Sequence, residues 1–138
     1  MKWLGALLLI VATFVGEPTL AQQVHISTAQ LEDMFANIRA KTTWEIDGDM
    51  LWGYFFTSPN RGELERIGVA LASDGYRLVE IRERESDSPE ETPEWQLHVE
   101  RVEHHTVVAL YNRNIQFEGI ARQHRDVIYD GMDVGPPR

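Results

Sequence analysis

Apolar residues recur at two spacings along the chain, and the changes between them mark its elements. Leu31, Met34, Phe35 and Ile38 stand at i, i+3, i+4 and i+7, the spacing of one helix face. Ser27 has capping-box spacing to Gln30, so an amphipathic helix is predicted over about Thr28 to Lys41. Asp47-Gly48-Asp49 interrupts the chain as a turn. Met50 to Ser58 then places Trp52, Tyr54 and Phe56 at alternate positions ahead of Pro59, the pattern of a strand. Asn60 can cap a second helix from about Arg61 to Ser73, with Leu64, Ile67 and Leu71 on one stripe, and Gly75 is placed to stop it in a left-handed conformation.

The period then returns to two. Tyr76 to about Arg84 carries Leu78, Val79 and Ile81, while Trp95 to Glu103 alternates Trp95, Leu97 and Val99 with Gln96, His98 and Glu100, so the two segments are expected to pair as a hairpin. Between them Glu85 to Glu94 is rich in Glu, Asp, Ser and Pro, a composition that cannot bury itself and predicts a solvated, mobile loop. From Thr106 to about Arg125, Val107, Leu110, Phe117, Ile120 and Ala121 keep a helical period with an interruption expected at Asn112 to Asn114, and Val127 to Met132 reads as a closing strand. After the first helix the order is strand, helix, strand, strand, helix, strand. Right-handed crossovers turn it into an α+β, ferredoxin-like βαββαβ sandwich with both helices on one face. The extra N-terminal helix must bury its stripe as well, either by covering the other sheet face or by recruiting a second chain.

Ahead of that helix, Lys2 precedes an apolar run from Trp3 to Val15, then Gly16, Glu17 and Pro18, with small Thr19 and Ala21 where a signal peptidase would read them. The run is shorter than the roughly 20 residues of a membrane-spanning helix. Residues 1–21 are therefore expected to be a signal peptide cleaved after Ala21, giving a periplasmic or secreted protein with no stable membrane span. Residues 22–48 would form the N-terminal helix and linker, and 49–138 the ferredoxin-like domain.

Charge and composition narrow the chemistry. The 138 residues carry 13 Lys and Arg against 22 Asp and Glu, a formal charge of −9, and no cysteine. The balance argues against a phosphate-binding surface, and Arg77, Arg82, Arg84 and Arg101 are interleaved with acids rather than forming a groove for nucleic acid. The lack of cysteine removes disulfides, thiolate metal sites and cysteine nucleophiles. His98, His104 or His105 with Glu100 or Glu103 offers metal-ligand types, but six residues of strand separate His98 from His104 by roughly 20 Å. Neither the Glu63 and Glu65 pair nor Glu90 with Glu91 sits in an apolar run that would raise a pKa for acid–base work. No metal, cofactor or catalytic residue is expected.

The strand around Tyr54 is more informative. Trp52, Tyr54 and Phe56 share one face and Leu51, Gly53, Phe55 and Thr57 the other, so both are largely apolar and both need cover, whether from the N-terminal helix, a second copy or a partner protein. Whether the Trp52, Tyr54 and Phe56 face is core or recognition surface stays open at this point. In Tyr129-Asp130-Gly131, Gly131 permits a positive φ and Asp130 suits an Asx-type turn. Alternatively Asp130 and Asp133, beside Gly135-Pro136-Pro137, form an acidic edge for a basic partner. The candidate partner-binding residues are Trp52, Tyr54, Phe56, Asp130 and Asp133.

Gly53-Tyr54-Phe55-Phe56, Gly75-Tyr76 after a helix, Trp95 opening a strand, and the ending Tyr129-Asp130-Gly131-Met132-Asp133-Val134-Gly135-Pro136 resemble the regulator of ribonuclease E activity B family over about Leu51 to Pro137. The resemblance implies a ferredoxin-like fold, an acidic surface and no catalysis, since members of that family act as protein inhibitors by binding another protein. With the leader, the expectation is an exported, non-catalytic inhibitor of a protein partner, for example an immunity-type protein. The alternatives are a small periplasmic metal-dependent or hydrolytic enzyme using His98, His104 or Glu100, and a cytoplasmic ribonuclease regulator whose N-terminus only looks like a leader.

Overall fold

The computed structural model describes residues 7–9, 22–85 and 88–138. Its elements run β1 (Leu7–Leu9), α1 (Thr28–Lys41), β2 (Asp49–Ser58), α2 (Arg61–Ser73), β3 (Arg77–Glu83), β4 (Trp95–His104), α3 (Val107–Arg122) and β5 (Ile128–Gly135). The strands form one antiparallel sheet in the order β1-β5-β2-β4-β3. Without β1 this is the strand order of a ferredoxin-like sandwich, as the element order predicted. The leader reading for residues 1–21 lies almost wholly outside the described residues. Leu7–Leu9 alone is seen, paired along the outer edge of β5 at Met132, Asp133 and Val134. The acidic loop, Glu85 to Glu94, also falls partly outside them; at its base the Arg84 N–H donates to the Glu94 carbonyl at 2.8 Å.

Local chemistry explains the boundaries. The Ser27 hydroxyl accepts from the Gln30 N–H at 3.1 Å while the Gln30 side chain accepts from the Ser27 N–H at 2.8 Å, a reciprocal capping box. Asn60 caps α2 through the Gly62 N–H, and Thr106 caps α3 through the Ala109 N–H. Gly75 stops the chain after α2 with φ +96°, a conformation that costs a residue with a Cβ.

Three expectations are corrected. α3 is continuous through Asn112 to Asn114. Asn114 is buried on the core face, where its Oδ1 accepts from the Tyr129 hydroxyl at 2.7 Å, so a polar residue that reads as a break is a core partner of Tyr129. α1 does not cover the second sheet face. It packs beside α3 on the same side as α2, with Phe35 stacked on Trp52 at 6.2 Å, because the end of β2 carrying Trp52 still needs apolar cover there. Finally, β5 runs on to Gly135, pairing Asp133 with Gly53, so Asp133 stands inside the sheet rather than on a tail.

The core is one cluster between the three helices and one sheet face. It holds Leu31, Phe35 and Ile38 of α1, Leu64 and Ile67 of α2, Phe117 of α3, and Trp52, Tyr54, Phe56, Leu97, Val99 and Val134 of the sheet. Between β2 and β5, Asp130 and Gly131 oppose the single residue Phe55, a β-bulge that Gly131 permits with φ +96°. The bulge lets Tyr129 and Met132 both face the core. The Gln23 side chain seals the bulge from outside, accepting from the Tyr129 N–H and donating to the Tyr129 carbonyl, each at 2.7 Å.

Candidate functional site

The register sets Asp133, Gly53, Glu100 and Arg77 side by side in one row across β5, β2, β4 and β3, and pairs Phe55 with His98 two residues further along. Because alternate strand residues point to opposite faces, and Tyr54, Phe56, Leu97 and Val99 face the helices, this row faces away from them. Among the described residues no helix packs on that face.

Gly53 gives the row a slot at its centre. A Cβ there would collide with the Asp133 carboxylate and stand 2.8 Å from His98 Nε2. The His98 ring lies over Phe55 with centroids 4.4 Å apart and planes 24° apart. Glu100 and Asp133 flank the slot and are 4 % and 7 % exposed, but their partners differ. Glu100 is held by two guanidinium groups: Arg77 Nε donates to Oε2 at 2.7 Å and Arg138 Nη2 to Oε1 at 3.0 Å. Asp133 Oδ1 is buried and makes no hydrogen bond. Burial, with the Glu100 charge across the slot, therefore pushes the Asp133 carboxyl up to about 6, against the pull of the Gly53 and Asp133 amides. Burial also lowers the His98 pKa, although Glu100 and Glu80 act in the opposite direction.

Two predictions follow from the slot itself. A carboxyl whose pKa is raised on folding favours the fold when protonated, so its cost is absent near pH 4 and fully present above about pH 6. At about 1.4 kcal/mol per unit that cost is at most about 3 kcal/mol. Asp133→Asn is thus expected to stabilise the domain at pH 8 and to change little at pH 4, which urea unfolding at the two pH values would show; equal effects at both would contradict the uncompensated charge. Gly53→Ala is expected to destabilise by about 1–3 kcal/mol through overpacking against Asp133 and His98, and combining it with Asp133→Ala should recover part of the loss.

A second polar cluster lies on the helix side, where β4 leaves the sheet. Glu103 Oε2 accepts from the Tyr54 hydroxyl at 2.7 Å, and its Oε1 accepts from Arg113 Nη2 at 2.6 Å and Arg101 Nη2 at 3.1 Å. Arg101 also donates to the Tyr76 hydroxyl and lies 3.9 Å over its ring. His105 Nε2 is 2.9 Å from the Tyr54 hydroxyl. The Glu103 side chain is 9 % exposed and that of His105 4 %, so the cluster ties β4 and α3 to the core rather than presenting groups to a ligand.

The residues expected to bind a partner separate accordingly. Trp52, Tyr54 and Phe56 are each 0 % exposed beneath the helices, so the recognition-surface reading gives way to the core reading for these three: a partner docking on the folded domain cannot touch them. Asp130 lies in the bulge with its carboxylate 3.7 Å from Arg84, and burial raises its pKa, so it is no exposed acidic edge. Asp133 belongs to the slot. His98 and Glu100 join it there, whereas His104 is exposed at the strand end opposite Asp49 and His105 faces the core. Among the described residues no three His, Asp or Glu side chains gather in a way that could hold a metal ion. Sequence reasoning missed Gly53 as the neighbour of Asp133, Phe55 as the platform under His98, and Arg77 and Arg138 as the partners of Glu100. The alternation along β2 and β4 already put Gly53 with Phe55 and His98 with Glu100, but only the register brings the pairs together.

Among the described residues the chain is thus an α+β sandwich with its three helices on one sheet face and a charged, glycine-centred row on the other. The chain matches the family model for regulator of ribonuclease activity B over residues 28–134, which takes in α1 as well as the βαββαβ core, and it belongs to that family. Members are regulators of an enzyme rather than catalysts and act by binding a protein partner. No curated protein matches the chain. Among the described residues no helix is long and apolar enough to cross a membrane.

Proposed function

We propose that this protein is an exported, non-catalytic regulator that binds and inhibits a protein partner through the sheet face carrying Gly53, Phe55, His98, Glu100 and Asp133, in the manner of an immunity-type protein. The observation that carries the reading is the one-sided packing: α1, α2 and α3 all cover the Tyr54 face, and the charged row stands on the other. Export rests on the leader pattern of residues 1–21, and the formal charge of −9 favours a basic partner.

The test is cross-linked capture from an envelope fraction with the wild-type chain and with an Arg77→Glu, Glu100→Arg charge reversal, followed by assay of the captured protein's activity. A protein retained by the wild type, lost by the reversal, and inhibited on adding the pure regulator supports the reading. Retention by both chains, or turnover of a small molecule by the regulator itself, overturns it. The family match favours a second reading, a cytoplasmic regulator of a ribonuclease. The N-terminal residue of the protein recovered from cells separates the two: Gln22 accords with export, and an intact Met1 in the soluble cytosolic fraction overturns it.

A further inference from the structure

The slot over Gly53 is built around an uncompensated charge, and its shape limits what can compensate it. We propose that it anchors an arginine side chain of the protein partner, whose guanidinium takes the place of the His98 ring over Phe55 and against the Asp133 carboxylate. The inference rests on the protein-binding reading above and adds to it the chemistry of the central contact.

Asp133 is 7 % exposed, and its Oδ1, aimed at the position a Gly53 Cβ would occupy, has no hydrogen-bond donor. Among the described residues no cation pairs with it. A buried carboxylate in that state is costly, and a cation brought to it in a desolvated setting recovers much of the cost. The row itself shows which cation fits, since the equivalent acid on the other side of Gly53, Glu100, is already held by the guanidinium groups of Arg77 and Arg138. The stack of His98 on Phe55 at 4.4 Å shows that a flat, nitrogen-bearing ring fits over that aromatic face. Guanidinium is planar too, stacks on aromatic rings and can donate two parallel hydrogen bonds to one carboxylate, which an ammonium group cannot do. Admission needs only a rotamer change of the half-buried His98, an adjustment common at interfaces. A phosphate would meet Asp133 and Glu100 head on. A metal ion would find only Asp133 and His98, because both Glu100 oxygens are engaged by arginine.

The test titrates a blocked Gly-Arg-Gly tripeptide, with Gly-Glu-Gly as control, into isotope-labelled full-length protein and follows the resonances of Gly53, Phe55 and His98. Saturable shifts with the arginine peptide alone are expected. Asp133→Asn should weaken them by about tenfold or more, and His98→Ala, which vacates the place over Phe55, should strengthen them. No shift at these residues, shifts from both peptides, or equal affinity of wild type and Asp133→Asn overturns the proposal. Retention of a captured partner by Asp133→Asn would overturn the arginine anchor and leave the regulatory reading standing. Failure of the wild type to inhibit anything it captures, with the peptide still bound at the slot, would overturn the regulatory reading and leave the slot's chemistry in place.

Discussion

Tyr54→Ala is expected to destabilise the domain by about 3–5 kcal/mol, the range for deleting a large aromatic side chain from a packed core. The ring is 0 % exposed and makes edge contacts with Phe117 at 4.9 Å and Tyr76 at 6.0 Å. The site cannot collapse easily, because Phe117 also packs against Phe56, Tyr76 and Tyr129. Tyr54→Phe divides the effect: it keeps the ring and removes only the hydroxyl that donates to Glu103 at 2.7 Å, a loss of about 1–2 kcal/mol. Urea unfolding of both variants provides the measurement. A loss under 1 kcal/mol for the alanine variant together with abolished partner binding would return Tyr54 to a recognition surface.

Glu103→Gln is expected to cost a similar amount, about 3–5 kcal/mol, for an electrostatic reason. Arg113 and Arg101 both donate to this carboxylate, and the Arg113 side chain is 21 % exposed, so neutralising Glu103 leaves two partly buried cations facing one another with no anion between them. Burial alone would raise the Glu103 pKa, but its contacts with His105 and Tyr54 and the charge of Arg113 hold it well below the usual carboxylate range. A carboxyl depressed on folding stabilises the fold above its unfolded pKa of about 4.3, and that contribution is lost as pH falls below it. Wild-type stability should therefore drop steeply below about pH 4, and Glu103→Gln should flatten the drop. Asp133 has the opposite sign and acts at higher pH, so wild-type stability should rise as pH falls from 8 toward 5 before Glu103 reverses the trend. Denaturant midpoints across this range, compared among wild type, Asp133→Asn and Glu103→Gln, would separate the two contributions. An unchanged acid limb in Glu103→Gln would contradict the role given to the cluster.

The two clusters share an origin in β4 and differ in outcome. Arg101 and Glu103 occupy the register positions opposite Trp52 and Met50 and turn to the helix side, where Glu103 is paired with Arg101 and Arg113. His98 and Glu100, offset by one residue, emerge on the other side, where Glu100 finds Arg77 and Arg138 and Asp133 finds no cation among the described residues. Alternation along one strand thus separates a charge network that holds the fold from one left incomplete at the surface. That asymmetry marks the slot as the place where a partner gains most by supplying the missing cation.

How much of this was legible in the order of residues follows from the range of the interactions. Caps and periods act over three or four residues, and so Ser27 with Gln30, Asn60, Gly75 and the alternation of Trp52, Tyr54 and Phe56 specified α1, α2 and β2 nearly to the residue, and with them the ferredoxin-like order. Gly131 announced its positive φ in the same local way. Contacts between distant segments were invisible. Asn114 looked like a helix break because its partner, Tyr129, lies on another element, and α1 could have gone to either sheet face because its stripe of Leu31, Met34, Phe35 and Ile38 names no surface. Tertiary structure alone decided that Trp52, Tyr54 and Phe56 are core and that Asp133, Gly53 and Glu100 stand in one row. An apolar or charged side chain states that it needs a neighbour, and the register of the folded sheet determines which neighbour it receives.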